Sequence, residues 1–230
     1  MPLSIVIPAL NEADTIGATL ATLQPLRARG VEVLLVDGGS TDTTTQLAAP
    51  LVDRLLVAAV NERGRARQMN AGAKVAAGRV LLFLHADSTL PPDADRLILL
   101  GLQVSCRSWG RFDVVISGRH FSLAVVAWFM NHRSRLTGIA TGDQGLFMTH
   151  DAFTTTGGFA EIPLMEDVAM CAALKKIGPP LCLKQKISTS GRRWERHGVW
   201  RTVILMWRIR LAYFLGADPA TLHRAYDGAK

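Results

Sequence analysis

Five consecutive apolar residues, Val80-Leu81-Leu82-Phe83-Leu84, follow Gly78-Arg79 and run straight into the acidic turn His85-Ala86-Asp87-Ser88. A run of this length without alternation reads as a strand buried on both faces, as in a parallel sheet covered by helices. A carboxylate at the carboxyl end of such a strand stands where open α/β sheets hold their ligands. Further along, Leu164-Met165-Glu166-Asp167 places two more acids at the head of a helical segment. One acid to hold a metal and another to deprotonate a hydroxyl are the minimum equipment for metal-assisted group transfer.

The first half of the chain alternates strand and helix patterns. Leu3–Ile7 reads as a strand stopped by Pro8, and Asn11 can cap a helix through Leu23, with Asp14 at the capping-box spacing. Val31–Val36 is a second strand ending in Asp37-Gly38-Gly39-Ser40. Thr41 or Asp42 can cap a short helix to Ala49, Asp53–Val57 is a third strand, and Arg65–Ala77 is rich in helix formers. Strands separated by helices of this size imply right-handed βαβ units and a parallel sheet.

The second half is less regular. Asp93–Leu102, Phe121–Met130 and Val168–Ile177 read as helices, and Arg111–Ile116 and Leu146–Met148 as strands. Thr141-Gly142-Asp143-Gln144-Gly145 and Gly157-Gly158-Phe159 read as turns. No repeat or linker divides the chain, so 1–195 is expected to form one domain, with 196–230 a C-terminal amphipathic helix and tail packed on it. Val199–Leu215 mixes Trp200, Trp207, Tyr213 and Phe214 with Arg201, Arg208 and Arg210 at helical spacing. The commoner arrangement is a core-facing helix with its arginines in water. The other is peripheral contact with a membrane interface.

The 230 residues, 49% hydrophobic, suffice for a full core, and no apolar stretch reaches the length of a membrane span. No basic segment followed by an apolar one opens the chain, so no signal peptide is expected. Cys106, Cys171 and Cys182 match neither a disulfide framework nor a zinc pattern. Together these suggest a cytoplasmic protein with free thiols, the tail offering contact with the inner face of the membrane. The formal charge of +7 attracts anions. Arg63, Arg65 and Arg67 cluster before Met69-Asn70, and further arginines crowd the C-terminal part. No nucleic-acid-binding motif accompanies them, so the expected anion is a phosphorylated small molecule or lipid.

Each acid also has a plain structural explanation. Asp37 can meet a nucleobase or ribose, the glycines after it permitting close approach, or can simply shape a strand-to-helix turn. Asp87 can coordinate Mg²⁺ or Mn²⁺, which accept few protein carboxylates and complete their shells with phosphate oxygens and water, or can belong to an Asp-Ser turn before Pro91-Pro92. Glu166-Asp167 can supply a general base or favour the positive end of a helix dipole. His85 can ligate or merely end a strand. Arg192-Arg193-Trp194 can bind a diphosphate or form a solvated loop.

Their order along the chain is more demanding than any one of them, and it resembles that of the family 2 glycosyltransferases. Ser4–Glu12 is similar to that family's opening strand and loop. Leu35-Val36-Asp37-Gly38-Gly39-Ser40-Thr41-Asp42 resembles its VDDGSTD signature, with Gly38 in place of the second Asp. Gly64 through Asn70-Ala71-Gly72 resembles the segment ending ARNxG, with Met69 where Arg is usual. His85-Ala86-Asp87 occupies the place of the DxD motif, and Gly157-Gly158-Phe159 with Glu166-Asp167 resembles GGF…ED. Leu84–Asp87 and Thr141–Gly145 resemble a narrower branch labelled as linked to arsenosugar biosynthesis. Arg192-Arg193-Trp194 departs from the QxxRW motif of processive members, which argues against a polymerising synthase.

The resemblance implies an α/β GT-A fold, a central mainly parallel sheet flanked by helices. It implies inverting transfer of a sugar from a nucleotide-diphosphate sugar to a hydroxyl acceptor, with Mg²⁺ or Mn²⁺. Asp167 would be the base with Glu166 its neighbour, and Asp87 the metal ligand. Pro8, Ala9, Asn11, Glu12, Asp37, Gly38, Arg65, Arg67, Asn70, Ala86, Arg192 and Arg193 would surround the donor, and Asp143 and Gln144 would meet the acceptor. Pro8–Glu12 lacks the glycine-rich loop of a nucleotidyltransferase or a dinucleotide oxidoreductase. The remaining alternative is a non-catalytic nucleotide-sugar-binding or membrane-surface scaffold protein, supported by His85 in an acid's place and by the basic aromatic tail.

Overall fold

The computed structural model describes residues 2–58 and 64–227. The first βαβ units are β1 (Leu3–Ala9), α1 (Ala13–Ala28), β2 (Glu32–Asp37), α2 (Thr44–Ala48), β3 (Arg54–Val57), α3 (Arg65–Val75) and β4 (Val80–Phe83). Then come β5 (Ser88–Thr89), α4 (Ala94–Ser105), β6 (Trp109–Ser117), α5 (Ser122–Thr137), β7 (Leu146–Thr149), α6 (His150–Thr156), α7 (Glu166–Leu174), β8 (Leu181–Ser190), α8 (Arg192–His197), α9 (Val199–Phe214) and α10 (Pro219–Asp227).

The strands form one sheet in the order β3-β2-β1-β4-β7-β6-β8-β5. β1 pairs in parallel with β2 and β4, β2 with β3, and β6 with β8; β7 runs antiparallel between β4 and β6, and β5 antiparallel to β8. Alternate residues of β1 enter different cores, as burial on both faces requires. Leu3, Ile5 and Ile7 meet Ile16, Leu20 and Leu23 of α1, whereas Val6 meets Met69 and Ala73 of α3. Gly72 makes that second contact possible, because a Cβ there would collide with Val6.

Two local readings are corrected. The first helix starts at Ala13 with Glu12 as its N-cap, whose side chain accepts from the Thr15 hydroxyl (2.9 Å) but from no backbone N–H of the helix; Asn11 sits at φ +53° outside the helix. The free N–H groups are capped instead from the next loop: Glu12 N–H donates to Thr44 Oγ1 (2.8 Å) and Ala13 N–H to Asp42 Oδ2 (3.1 Å). The sequence pattern announces no strand between Ile177 and Val199, yet β8 runs from Leu181 to Ser190. Lys184-Gln185-Lys186 interrupts its apolar pattern, and a register shift opposite Phe112/Asp113 accommodates the irregularity.

The C-terminal helices pack on the same body. Ile209 of α9 and Leu222 of α10 are buried with Met165 and Val168, at the head of α7. Among the described residues no helix is long and apolar enough to cross a membrane.

Candidate active site

The loops at the carboxyl ends of β1, β2 and β4 hold the first half of the site. Asp37 ends β2 with 1% of its surface exposed. Its Oδ2 accepts from the N–H groups of Gly39 (2.9 Å) and Ser40 (2.8 Å), and its Oδ1 from the Ser40 hydroxyl. Ser40 Oγ accepts from Asn11 N–H, and Asn11 Oδ1 accepts from Thr41 N–H. The expected base-contacting carboxylate is therefore turned into its own loop, and Asn11 serves as a stitch between two loops.

Gln68, missed in the sequence, lies beneath them. Its Nε2 donates to the carbonyls of Ala9 and Val36 at 2.8 Å, at the carboxyl ends of two parallel strands. A Cβ at Gly38 would lie 3.0 Å from that nitrogen. The amide thus occupies the space that a larger residue at 38 would need, which accounts for glycine there.

Asp87 follows β4. Arg192 Nη2, at the head of α8, reaches both Glu12 Oε2 (3.3 Å) and Asp87 Oδ2 (3.7 Å). Burial pushes the Asp87 carboxyl up from its ordinary range; His85 and Arg192 oppose this, and Asp143 and Glu12 add to it. Ala86 is buried, its carbonyl taken by Thr19 Oγ1. The side chain of Arg193, and Arg63, lie outside the described residues.

The second half of the site comes from the Gly142–Gln144 turn and α7. His85 Nδ1 stands 3.2 Å from Asp143 Oδ1, and its ring fills the space a Cβ on Gly142 would need. Gly142 N–H donates to Asp167 Oδ2 at 2.9 Å, and Val168 N–H to Asp167 Oδ1 at 2.7 Å. Burial raises the carboxyls of Glu166 and Asp167; each is opposed by Arg65, whose Nη1 lies 3.6 Å from Glu166 Oε1. Met165, in the left-handed region at φ +71°, turns the chain so that both acids open α7. Such a backbone persists in a bulky residue only where packing holds it, here by the Ile209 and Leu222 side chains. Pro8, Arg65, His85, Gly142, Glu166 and Asp167 line one small cleft.

Several expected contacts go elsewhere. Asn70 clamps the backbone of Phe159, donating to its carbonyl and accepting from its N–H, both at 2.9 Å. Gln144 is fully buried and donates to Ser134 Oγ (3.0 Å), so it shapes the turn from below and is withdrawn from an acceptor. Arg67 pairs with the exposed Glu161. Ala9 contributes only backbone. Cys171 is buried, its thiol pushed up to about 12, and chemically quiet.

Among the described residues no three His, Cys, Asp or Glu converge as metal ligands. What the region offers is three partly exposed carboxylates, Asp87 with Glu12 and Asp143 near enough to disfavour its charge. Oxygen donors with surplus negative charge suit a hard divalent cation that takes its other ligands from phosphate and water.

The α/β sheet, with acids gathered at the carboxyl ends of its strands, has the GT-A architecture. The chain belongs to glycosyl transferase family 2, whose model matches residues 4–154. A PGL/p-HBAD biosynthesis glycosyltransferase of Mycobacterium tuberculosis is 42% identical over 91 residues, 38% of this chain and 36% of that one. The succinoglycan biosynthesis protein ExoO of Rhizobium meliloti is 35% identical over 98 residues, 42% and 28% of the two chains. The match thus spans well under half of these curated relatives. The fold is shared with Staphylococcus aureus TarS 1-349 in complex with UDP-GlcNAc (TM-score 0.68, 17% identity, 83% of this chain and 58% of that). It is shared also with the mannosyltransferase PcManGT of Pyrobaculum calidifontis in complex with GDP-Man and Mn²⁺ (0.66, 19%, 99% and 69%).

Proposed function

We propose that this protein is a glycosyltransferase that moves a sugar from a nucleotide-diphosphate sugar to a hydroxyl acceptor with inversion. The observation that carries the reading is the convergence of Asp167, Glu166, Arg65 and His85 in one cleft, with Asp143 paired to His85 and Asp87 nearby, in a chain of family 2. The nucleotide lies across the β1 and β2 loops, with Asp37 and Asn11 holding the floor of its pocket. Asp87 would hold Mg²⁺ or Mn²⁺, which when bound would neutralise charge on the diphosphate. Arg192 and Arg65 are placed for the same task on the protein's side.

Asp167 takes the proton of the acceptor hydroxyl. The acceptor oxygen bonds to the anomeric carbon, the bond from that carbon to the diphosphate oxygen breaks, and the nucleoside diphosphate leaves with the electron pair. One displacement from the face opposite the leaving group inverts the centre, as in single-step glycoside chemistry. Gly142 N–H and Val168 N–H orient the carboxylate, and burial raises its basicity toward the working pH.

Thermal shifts with UDP, GDP, TDP and their sugars, each with Mn²⁺, Mg²⁺ or EDTA, test donor binding. A ligand at about 100 times its Kd stabilises by about 2.7 kcal/mol. A shift with one nucleotide family, lost in EDTA, is expected; no shift with any of them overturns the reading. A site that binds donor without turnover is the second reading, favoured by His85 in an acid's place and by the Arg192 guanidinium already near Asp87. Donor binding without product release from any sugar nucleotide, water included as acceptor, would favour it.

A further inference from the structure

The helix α9 is apolar on two opposite faces. One face is buried: Val199, Thr202 and Ile209 are inside, and Leu205 and Ile209 pack around Met165. The other is open. Trp200, Ile204, Trp207, Leu211 and Phe214 are each between 58% and 70% exposed. Their spacing of four, three, four and three residues puts them in one stripe within about 100° of arc, about 20 Å long. No Asp or Glu occurs from Val199 to Phe214. The exposed Arg201 and Arg208 flank the stripe on one side and Arg210 on the other. Arg196 is exposed just before them, on α8. The helix α5 packs against α9 through Val126 and Ala127, which share a core with Val199. It exposes Trp128 and Phe129, with the exposed Phe121 just before it, and likewise contains no acid.

We propose that this face docks on an anionic phospholipid surface, with α9 lying in the plane of the interface. Charge complementarity selects this occupant. Tryptophans settle at the headgroup level, and arginines beside them reach outward to lipid phosphates while their stems stay on apolar surface. Each cation near such a surface adds to the attraction, and salt weakens it. The helix is too short to span a bilayer, so docking is peripheral. The buried face of the same helix holds Met165, one residue before Glu166, so docking would set the acids of α7 about one helix diameter, about 10 Å, from the lipid. The docking itself does not depend on which reaction the site performs.

The test is flotation of the purified full chain with vesicles of phosphatidylcholine alone and of phosphatidylcholine with phosphatidylglycerol. Binding to the anionic vesicles, weakened by salt, is expected. The exposed pair Trp200→Ser/Trp207→Ser should weaken it by at least about tenfold, and Arg201→Gln/Arg208→Gln should abolish the preference for anionic lipid. Both variants should keep the wild-type melting temperature, which shows that the face, rather than the fold, was lost. Failure of the wild-type chain to float with either vesicle overturns the proposal. So does a solution dimer that the tryptophan pair converts to monomer, which would assign the stripe to a second copy of the chain.

Discussion

Both ends of the sheet carry polar side chains below the surface, and they differ in how completely those groups are matched. At the amino ends, Glu32 is 3% exposed and every neighbour answers it: Ser4 Oγ donates at 2.5 Å, Ala77 N–H at 2.8 Å, and Arg54 lies at 3.3 Å. Ser4 Oγ in turn accepts from Gly78 N–H. At the carboxyl ends, Glu12, Asp87, Asp143, Glu166 and Asp167 share Arg65, Arg192 and His85, and burial leaves Asp87, Glu166 and Asp167 harder to ionise than usual. A closed network holds a fold together; an open one with surplus acid stores a field that a cation, a diphosphate or a proton can relieve. The same residue types thus do opposite work on one sheet.

The sharpest way to break this comparison is Asp167→Asn. Loss of a general base should cut turnover by about 10²–10⁴-fold while thermal shifts with donor persist; initial rates at saturating donor decide it. The same carboxyl makes turnover pH-dependent. Its pKa is raised by burial, and only the ionised form accepts a proton, so the rate should fall with decreasing pH at values above the usual carboxylate range near 4. A pH–rate profile that stays flat down to that range would remove Asp167 and Glu166 from the chemistry.

At the opposite end, Glu32→Ala should destabilise by about 1–3 kcal/mol, because Ser4, Ala77 and Arg54 lose a buried acceptor. Urea unfolding reads the loss, and turnover per folded molecule should stay unchanged. An intermediate case is Gly38→Asp, which presses on Gln68. It should cost on the order of 1 kcal/mol, and adding Gln68→Ala should recover part of it; strictly additive effects would show that the two do not touch. The smallest effect is expected from Arg67→Ala, whose exposed pairing with Glu161 contributes about 0–1 kcal/mol.

Much of the first half was legible because its signals are local. Val80–Phe83 is apolar without alternation, and that alone demands cover on both sides. β2 and β4 lie within a residue of where their patterns placed them, whereas β1 is not stopped by Pro8 but continues through it to Ala9, paired with Val36 and Asp37 of β2; the acids at the strand ends follow. The second half was harder. β8 pairs with β6 over a register shift, and its exposed Lys184-Gln185-Lys186 has no apolar period to announce it. The site was legible as a set of acids and illegible as a set of contacts. Asn70 and Gln144 are polar residues in conspicuous motifs, yet each is spent on the fold. Gln68 and Met165, in no motif with a polar role assigned, do the positioning.

The sequence by itself determined the alternation of strands and helices, the burial of the parallel strands and the family to which the chain belongs, because periodicity and motif order are properties of neighbours along the chain. Only the tertiary structure decided which carboxylates remain open. Asp37 is closed by Gly39 and Ser40, and Asp87 is shared with an arginine 105 positions away in the chain. Asp167 is aimed by a backbone turn at Met165 that the C-terminal helices hold in place. Whether a charge is matched depends on distance in space and on the water excluded around it, and neither is written in the spacing of residues.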